Sequence, residues 1–335
     1  MPTEAALAGP VVGTPPRRQG SVRRTATIDM GWPDGPGGPL RLIGRARDLL
    51  TPQTGDPVVL DEAEMLVTVG DHRTITAIEV RPDRAGIERL VGAQGGVYLR
   101  SAIDDALPTE REAATALHVL LDDIAGTSLI AGFVWSRWQP DFARRMRQAR
   151  TSLGIRKGRI ICSGLRPGGF AQTATEHDGR ALHAVQPAGD ISTPDDPWGW
   201  HAMPPRPEVA MRRHRRIDVW RDGEEIVVDE LFRDSAWEPD GSEIVLHEYE
   251  VGARIDAPTG TLVSVAATPR VLPFPECPWA APHVRQLAGH PVRTFRTDVQ
   301  QTLTELDCCT HLNDMLRCLA EVPVLAESLA VGAPQ

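Results

Sequence analysis

The sequence predicts an α+β fold, built as a tandem duplication of an antiparallel sheet followed by packed helices. Two observations lead to this prediction. Short segments recur in the same order in both halves of the chain, at offsets of about 186 to 196 residues, which is typical of an internal repeat. Each half also begins with alternating, Val- and Ile-rich strands and ends with helix-spaced apolar residues. Strands followed by helices favour an antiparallel sheet with helices on one face.

Four pairs of segments carry the duplication. They are RRTATIDMGW with RRHRRIDVW, LIGRARDLL with VDELFRDSA, ITAIEVRP with LVSVAATP, and YLRSAIDDAL with TFRTDVQQTL. The second pair sets Arg47-Asp48 on Arg233-Asp234. Because this Arg-Asp step occurs in both halves, we interpret it as a structural ion pair.

These matches divide the chain into four parts. A disordered tail is expected over residues 1–22, a first copy over 23–138, a connecting segment over 139–210 and a second copy over 211–330. In the second copy we predict strands near residues 215–221, 226–234, 243–251 and 262–269.

The connecting segment is expected to have two parts. The stretch GRIICSGLRPGGFAQTAT predicts a hairpin that extends the sheet, and the proline-rich remainder, ISTPDDPWGWHAMPPRPEVA, predicts an extended linker on a surface. The aromatic residues Trp198 and Trp200 and the imidazole of His201 are more typical of groups that pin such a linker than of a pocket.

Composition narrows the class of protein. The net charge of −9 and the pI near 5.6 argue against a nucleic-acid partner, since such proteins usually present a basic face. The one exception is the basic run over residues 211–216, MRRHRR, which is expected on a solvated face or a strand edge. The chain has no uncharged apolar run of the roughly 18 to 20 residues that span a bilayer, so no membrane partner is expected. Five cysteines without a recognisable signal peptide favour a cytoplasmic protein with free or metal-bound thiols. The oligomeric state is left open.

The stretch CCTHL places two thiols and an imidazole at a predicted helix start. Aligning the final helices at an offset of 195 sets Cys308, Cys309 and His311 against Ala113, Ala114 and Ala116. If these three residues only filled the core, the first copy would be expected to carry other bulky residues at the same helix start. It carries alanines, and this difference points to a site in the second copy only. Unpaired N–H groups at a helix start favour a thiolate, the form that binds metal or attacks carbon.

A second candidate thiol lies in an insertion. Between the matched prolines, Pro82 and Pro269, and the next matched leucines the first copy has 7 residues and the second has 17, which include Cys277. We therefore predict a metal site made of four residues: Asp234, Cys277, Cys309 and His311. Thiolates with imidazole and carboxylate suit zinc or iron. The alternative is that the cysteines are small buried apolar residues.

The second copy resembles a bacterial family catalogued as domain of unknown function 2889, over roughly residues 211–329. The likeness rests on the RRIDV strand, the Arg-Asp strand end, the ECPWAAP loop and the CTHL helix start. It implies no activity. A more distant likeness is to NifU-like iron-sulfur scaffold proteins, which bind zinc or a cluster. It implies that Cys277 and Cys309 match two of that family's cysteines, and Asp234 lies near the region of its first ligands. The first cysteine of that family has no counterpart in this chain.

Three functions follow from these residues. The first is an enzyme that acts on a small organic substrate, through a metal or through an activated Cys309 assisted by His311 as catalytic residues. The second is a metal or iron-sulfur carrier without turnover. The third is an interaction protein with structural cysteines. The sequence identifies neither the substrate nor the reaction.

Overall fold

One antiparallel sheet of nine strands forms the centre of the fold. The fold is taken from a computed structural model, which describes residues 7–139, 141, 162–173, 184–192, 195–203, 206 and 208–330. The strands, in chain order, are β1 Ser21–Gly31, β2 Leu40–Thr51, β3 Val58–Val69, β4 Ile75–Arg81, β5 Gln186–Pro187, β6 Ala210–Asp222, β7 Glu225–Trp237, β8 Glu243–Asp256 and β9 Thr261–Val271. The four strands that were predicted in the second half are therefore confirmed, with longer bounds.

The helices follow the strands in each half. In chain order they are α1 Leu99–Ala106, α2 Pro108–Glu112, α3 Ala116–Ile130, α4 Phe133–Trp138, α5 Phe170–Thr173, α6 Phe295–Thr302, α7 Thr310–Cys318 and α8 Val322–Glu327. A 3-10 segment over Cys277–Leu287 follows β9. The predicted α+β class is confirmed.

The strand order is β4-β3-β2-β1-β6-β7-β8, and β8 also pairs with both β5 and β9. Each half therefore contributes a four-strand meander, and the two meanders join where β1 pairs with β6. Instead of two separate sheets, as a tandem repeat of domains suggests, the chain forms a single continuous one. The equal strand order agrees with a duplication, but a common origin of the halves stays a prediction.

The pairing of β1 with β6 is reciprocal. Arg23 lies opposite Asp218, and Asp29 lies opposite Arg212. The Nε atom of Arg23 donates to Asp218 Oδ1 at 2.6 Å, and the Nε atom of Arg212 donates to Asp29 Oδ1 at 2.5 Å. The basic run of β6, expected on a solvated face or a strand edge, is instead buried in the centre of the sheet.

Segments outside the two meanders cover the second face of the sheet. His201 from the linker contacts the hydroxyl groups of Thr25 and Thr27 at 2.9 and 2.8 Å, and Trp200 Nε1 donates to Thr14 Oγ1 at 2.8 Å. Burial lowers the pKa of His201 to about 3, so its ring is neutral at pH 7. Trp200 and His201 thus pin the linker to the sheet. Trp198 is partly exposed and lies 5.8 Å from the guanidinium carbon of Arg47.

Two predicted segments differ from the structure. From residue 7 the expected disordered tail packs on the sheet, where Ala8 and Gly9 donate to the carbonyl groups of Pro269 and Arg270. The predicted hairpin is wrong for Phe170–Thr173, which forms α5. The predicted upstream strand lies largely outside the described residues. The glycines before α5 do form the predicted turn, in which Gly169 donates to the carbonyl group of Arg166 and Gly168 has a φ of 68°.

The helical region Ala116–Trp138 is the one candidate for a membrane span within the described residues, with 23 residues and a mean hydropathy of 1.5. Of its most apolar window, 67% is buried inside the fold. Its first part, α3, packs on β1, β2 and β3. Burial against a sheet is what the core helix of a globular domain requires.

Candidate metal centre

Two neighbouring strands and one helix start place a carboxylate and two imidazoles together. Asp234 of β7 lies directly opposite His247 of β8, so both side chains point to the same face of the sheet. The register shifts immediately after Asp234, as at a β-bulge, which re-aims the side chains beside it. His311 is the second residue of α7, which begins above this face.

The three side chains form a compact set. Asp234 Oδ2 lies 3.4 Å from His247 Nδ1 and 3.7 Å from His311 Nε2. The two rings stack with their centroids 3.7 Å apart and an interplanar angle of 25°. Each residue can offer one ligand atom such that all three atoms lie within 4.8 Å of one another.

The carboxylate of Asp234 is held from behind by Arg213. The Nε and Nη2 atoms of this arginine donate to the two carboxylate oxygens at 2.8 and 3.0 Å. Burial raises the pKa of Asp234, but the charge of Arg213 outweighs burial and holds that pKa well below its usual range. Asp234 is therefore ionised at pH 7, and the carboxylate is the form that binds a cation.

Helix α3 of the N-terminal half fixes the arginine in turn. Asp123 accepts from Arg213 Nη1 at 3.2 Å, and it accepts two hydrogen bonds from Arg215 at 2.6 and 2.7 Å. A Cβ atom at Gly126 would lie 2.4 Å from Arg213 Nη1. Only glycine at this position therefore lets α3 approach Arg213 so closely.

Both imidazoles are suited to bind a cation. Burial, followed by the neighbouring His247, lowers the pKa of His311 well below its ordinary value, so the ring of His311 is neutral at pH 7. Within the described part of the chain, His247 Nδ1 has no hydrogen-bond partner although it is buried. A buried polar atom without a partner is costly, and a neutral imidazole nitrogen is the form that coordinates metal.

The distances in the set match a shared ion better than direct hydrogen bonds. Good hydrogen bonds between nitrogen and oxygen are about 2.7 to 3.2 Å long, shorter than both the 3.4 and the 3.7 Å separations. Two ligands that each lie about 2.1 Å from a tetrahedral metal are roughly 3.4 Å apart. Two imidazoles with one carboxylate are a set that zinc and non-haem iron(II) both accept.

Of the predicted site residues, the structure brings Asp234 and His311 together. Among the described residues, no cysteine joins a set of three or more such ligand atoms within 4.8 Å of one another. Binding of a metal by Cys277 and Cys309 stays a prediction. Cys309 does lie at the expected helix start, as the N-cap of α7.

The thiols gather in a buried region beside the set. Tyr249 donates to the carbonyl oxygen of Cys277 at 3.4 Å, and a Cβ atom at Gly164 would lie 2.4 Å from Cys277 Sγ. Burial raises the pKa of Cys309 to about 11, and burial followed by the neighbouring Cys309 raises the pKa of Cys277 well above its ordinary range. At pH 7 both groups are protonated, which disfavours an activated thiolate.

The equivalent place in the N-terminal half lacks both imidazoles. Arg24 donates to both carboxylate oxygens of Asp48 at 2.6 Å, as Arg213 does to Asp234. Asp61 lies opposite Asp48, where His247 lies opposite Asp234. Asp61 Oδ2 accepts from the backbone N–H of Ala116 at 2.8 Å, at the residue that aligns with His311. The expected asymmetry between the halves therefore extends to the position of His247, where the N-terminal half has Asp61.

Sequence reasoning did not find His247. It lies inside a predicted strand, in the stretch LHEYE, where no motif marks it. One feature of the sequence could have indicated it, because Asp234 and His247 lie at nearly equal distances in sequence from the turn between β7 and β8. A tight hairpin pairs residues at such positions.

Comparison of the chain with curated proteins and with solved structures gave no match. The comparisons therefore give no support for the likeness to NifU-like scaffold proteins. One family model matches the C-terminal half, over a segment that contains Asp234, His247 and His311. The domain at residues 211–325 is that of the family described as Protein of unknown function (DUF2889).

Proposed function

We propose that the protein binds one zinc or iron(II) ion through Asp234, His247 and His311, and that it is an enzyme acting on a small organic substrate at this ion. The observation that carries the proposal is the spacing of Asp234 Oδ2 from the two ring nitrogens, 3.4 and 3.7 Å. The set keeps Asp234 and His311 from the sequence-based prediction and replaces the two thiols with His247.

The exposure of the three side chains favours a catalytic metal site over a structural one. The side chains of His311 and His247 keep 16% and 10% of their exposure, whereas Asp234 is fully buried. Structural zinc sites are closed by four protein ligands, and catalytic sites keep a position open. Three ligands with one partly open side fit the second arrangement. A bound ion of this kind supplies Lewis-acid polarisation of a substrate oxygen.

The residues of the chain have separate tasks in this proposal. Asp234 and the two imidazoles hold the ion, and Arg213 fixes the orientation of the carboxylate through its two hydrogen bonds. Such supporting contacts tune the affinity of a site for its metal. Helix α3 positions Arg213 through Asp123, so the N-terminal half contributes to the site without supplying a ligand.

Metal analysis tests the proposal. Protein purified without a chelating tag is expected to contain about one zinc or iron ion per chain, and His247→Ala and His311→Ala are each expected to lose it. His290→Ala is the matched control, because His290 also lies beside an aspartate, 3.1 Å from Asp298, outside the set. If neither the native metal nor added Co²⁺ is retained by the unaltered chain, the proposal fails.

A metal carrier without turnover is the second candidate. It is favoured because the described residues supply three ligand atoms to the set, which leaves the ion open to exchange with a partner. Dialysis against a chelator separates the two functions. A carrier should lose its ion within minutes and regain it from a donor complex, whereas an enzyme should retain it through repeated dialysis.

We also propose that the two halves arose by duplication and fusion, and that the N-terminal copy lost its site. Support comes from the reciprocal pairs Arg23–Asp218 and Arg212–Asp29. The equivalent arginine–aspartate forks at Asp48 and Asp234 add a second line of support. Reciprocal contacts of this kind are typical of an interface with two-fold symmetry.

A further inference from the structure

A pocket lined by charged side chains lies apart from the proposed metal centre. A pocket of about 190 Å³ opens between the helices of the two halves. Four arginines line it, Arg100, Arg111, Arg296 and Arg317, against two aspartates, Asp104 and Asp122. The lining therefore carries an excess of positive charge in a chain whose net charge is negative.

Two of these arginines are held in fixed orientations. Arg100 donates to Asp122 at 2.6 Å and to Asp314 at 2.7 Å. Arg296 donates to the same Asp122 at 3.1 Å and to Glu321 at 2.6 Å. Neither Asp314 nor Glu321 lines the pocket. Asp314 and Glu321 therefore hold Arg100 and Arg296 from outside the pocket, whereas Asp122 holds both arginines at its wall. A guanidinium group has five N–H donors, more than these bonds use, so donors remain for a ligand.

Arg317 is the least compensated of the four. Its side chain keeps only 5% of its exposure, and its nearest carboxylate oxygens, on Asp314 and Asp122, are 3.5 and 3.9 Å away. Within the described residues its Nε atom has no hydrogen-bond partner. Burial lowers its pKa, which also indicates a positive charge with too little compensation. Buried donors without acceptors are costly, and an anion in the pocket would supply acceptors.

We propose that this pocket binds a small oxyanion with at least two negative charges, whose oxygens pair with Arg317 and with the braced Arg100 and Arg296. Planar guanidinium groups match both carboxylate and phosphate oxygens in a forked geometry. Because the aligned segments set Arg100 on Arg296, the ligand is approached by equivalent arginines from the two halves. A compact dianion satisfies both.

Calorimetric titration of the full-length protein tests this inference. Inorganic phosphate and succinate are the two probes, and acetate at matched ionic strength is the monovalent control. At least one dianion is expected to bind saturably with one site per chain, and which of them binds more tightly separates a phosphate ligand from a dicarboxylate. Acetate is expected to bind at least tenfold more weakly.

Variants connect the binding to the pocket. Arg317→Lys keeps the positive charge but loses the planar guanidinium group that can donate two parallel hydrogen bonds to one anion. It is expected to weaken binding at least tenfold. Arg254→Lys is the control, since Arg254 is an exposed, ion-paired arginine outside the pocket, and should bind as the unaltered chain does. If Arg317→Lys fails to fold, the more exposed Arg100 takes its place as Arg100→Lys. The inference is overturned if neither dianion binds below about 10 mM, or if the pocket and control variants bind equally well.

Discussion

Arg213 donates two hydrogen bonds, of 2.8 and 3.0 Å, to the carboxylate of Asp234, and both side chains are almost completely buried. Removing one partner of a buried pair leaves the other charge uncompensated, which typically costs about 3 to 5 kcal/mol. We therefore predict that Arg213→Met lowers the free energy of unfolding by this amount, measured by urea denaturation. It should also weaken metal binding, since the carboxylate loses its orientation.

A matched substitution separates burial from the loss of charge. Arg254→Met removes an arginine that also has two carboxylate partners, Asp222 and Glu225, but whose side chain is 44% exposed. Exposed ion pairs contribute little to stability, so this variant should unfold at nearly the same urea concentration as the unaltered protein. If Arg213→Met and Arg254→Met lower the free energy of unfolding equally, burial of the Arg213–Asp234 pair does not increase its contribution to stability.

The thiols next to the candidate metal centre give the second prediction. Cys277→Ala and Cys309→Ala should retain the metal, because the proposed ligands are Asp234, His247 and His311. Each should lose on the order of 1 kcal/mol from the small cavity left behind. Metal content and urea denaturation of both variants check this. Loss of metal from either variant would instead support the original Cys/His/Asp set.

Rebuilding the missing site in the N-terminal half is the third prediction. Asp61→His with Ala116→His would place two imidazoles beside Asp48, whose Arg24 fork is already present. We expect the double variant to bind two metal ions per chain. Overpacking at the buried position 116 should cost about 1 to 3 kcal/mol, so its thermal unfolding is measured as well.

The single variant Asp61→His serves as the control for that design. It supplies one new imidazole and should still bind one ion. A folded double variant with one ion per chain would mean that the two halves are not equivalent at these positions.

The fourth prediction concerns Glu230, a fully buried residue of β7. Neither of its carboxyl oxygens has a hydrogen-bond partner among the described residues, and Arg215 Nη1 lies 3.5 Å from one of them. Burial raises its pKa to about 8, above the value of about 4.3 for an unfolded chain. Its protonated form is thus favoured by folding. Its contribution to stability is complete below pH 4.3 and is lost as the pH rises to about 8.

Glu230→Gln mimics the protonated form and should remove that loss. The stability of the variant relative to the unaltered protein is expected to increase between pH 4.5 and 8, by up to roughly 1.4 kcal/mol per pH unit. Urea denaturation at several pH values measures it. Glu224→Gln, at an exposed turn position, should change stability by less than about 0.5 kcal/mol at each pH. A constant difference for Glu230→Gln would contradict the raised pKa.

Local patterns in the sequence predicted the strands and the helix start at Cys309 because these depend on alternation and capping within a few residues. The joining of β1 to β6 was not predictable in this way. It depends on ion pairs such as Arg23 with Asp218, which are 195 positions apart. The basic run of β6 was misread for the same reason, since its carboxylate partners come from distant strands and from α3.

The residues of the candidate site also differ in whether a local sequence pattern marks them. Asp234 and His311 could be predicted because one ends a repeated motif and the other replaces alanine in an aligned helix. His247 belongs to no motif, and only the register of β7 against β8 brings it to Asp234. The cysteines attracted attention through their number at one helix start, but buried thiols are common in cores and do not by themselves make a ligand set.

The reciprocal pairs between β1 and β6 also bear on the history of the chain. On the proposed duplication, an ancestor with a single meander would have exposed its first strand as a free sheet edge, lined with arginine and aspartate. Such an edge pairs with another copy of itself, as in an isologous homodimer. Fusion of two copies would have made that association independent of protein concentration. Relieved of the need to be identical, one half could then keep the imidazoles while the other specialised in positioning Arg213 behind Asp234.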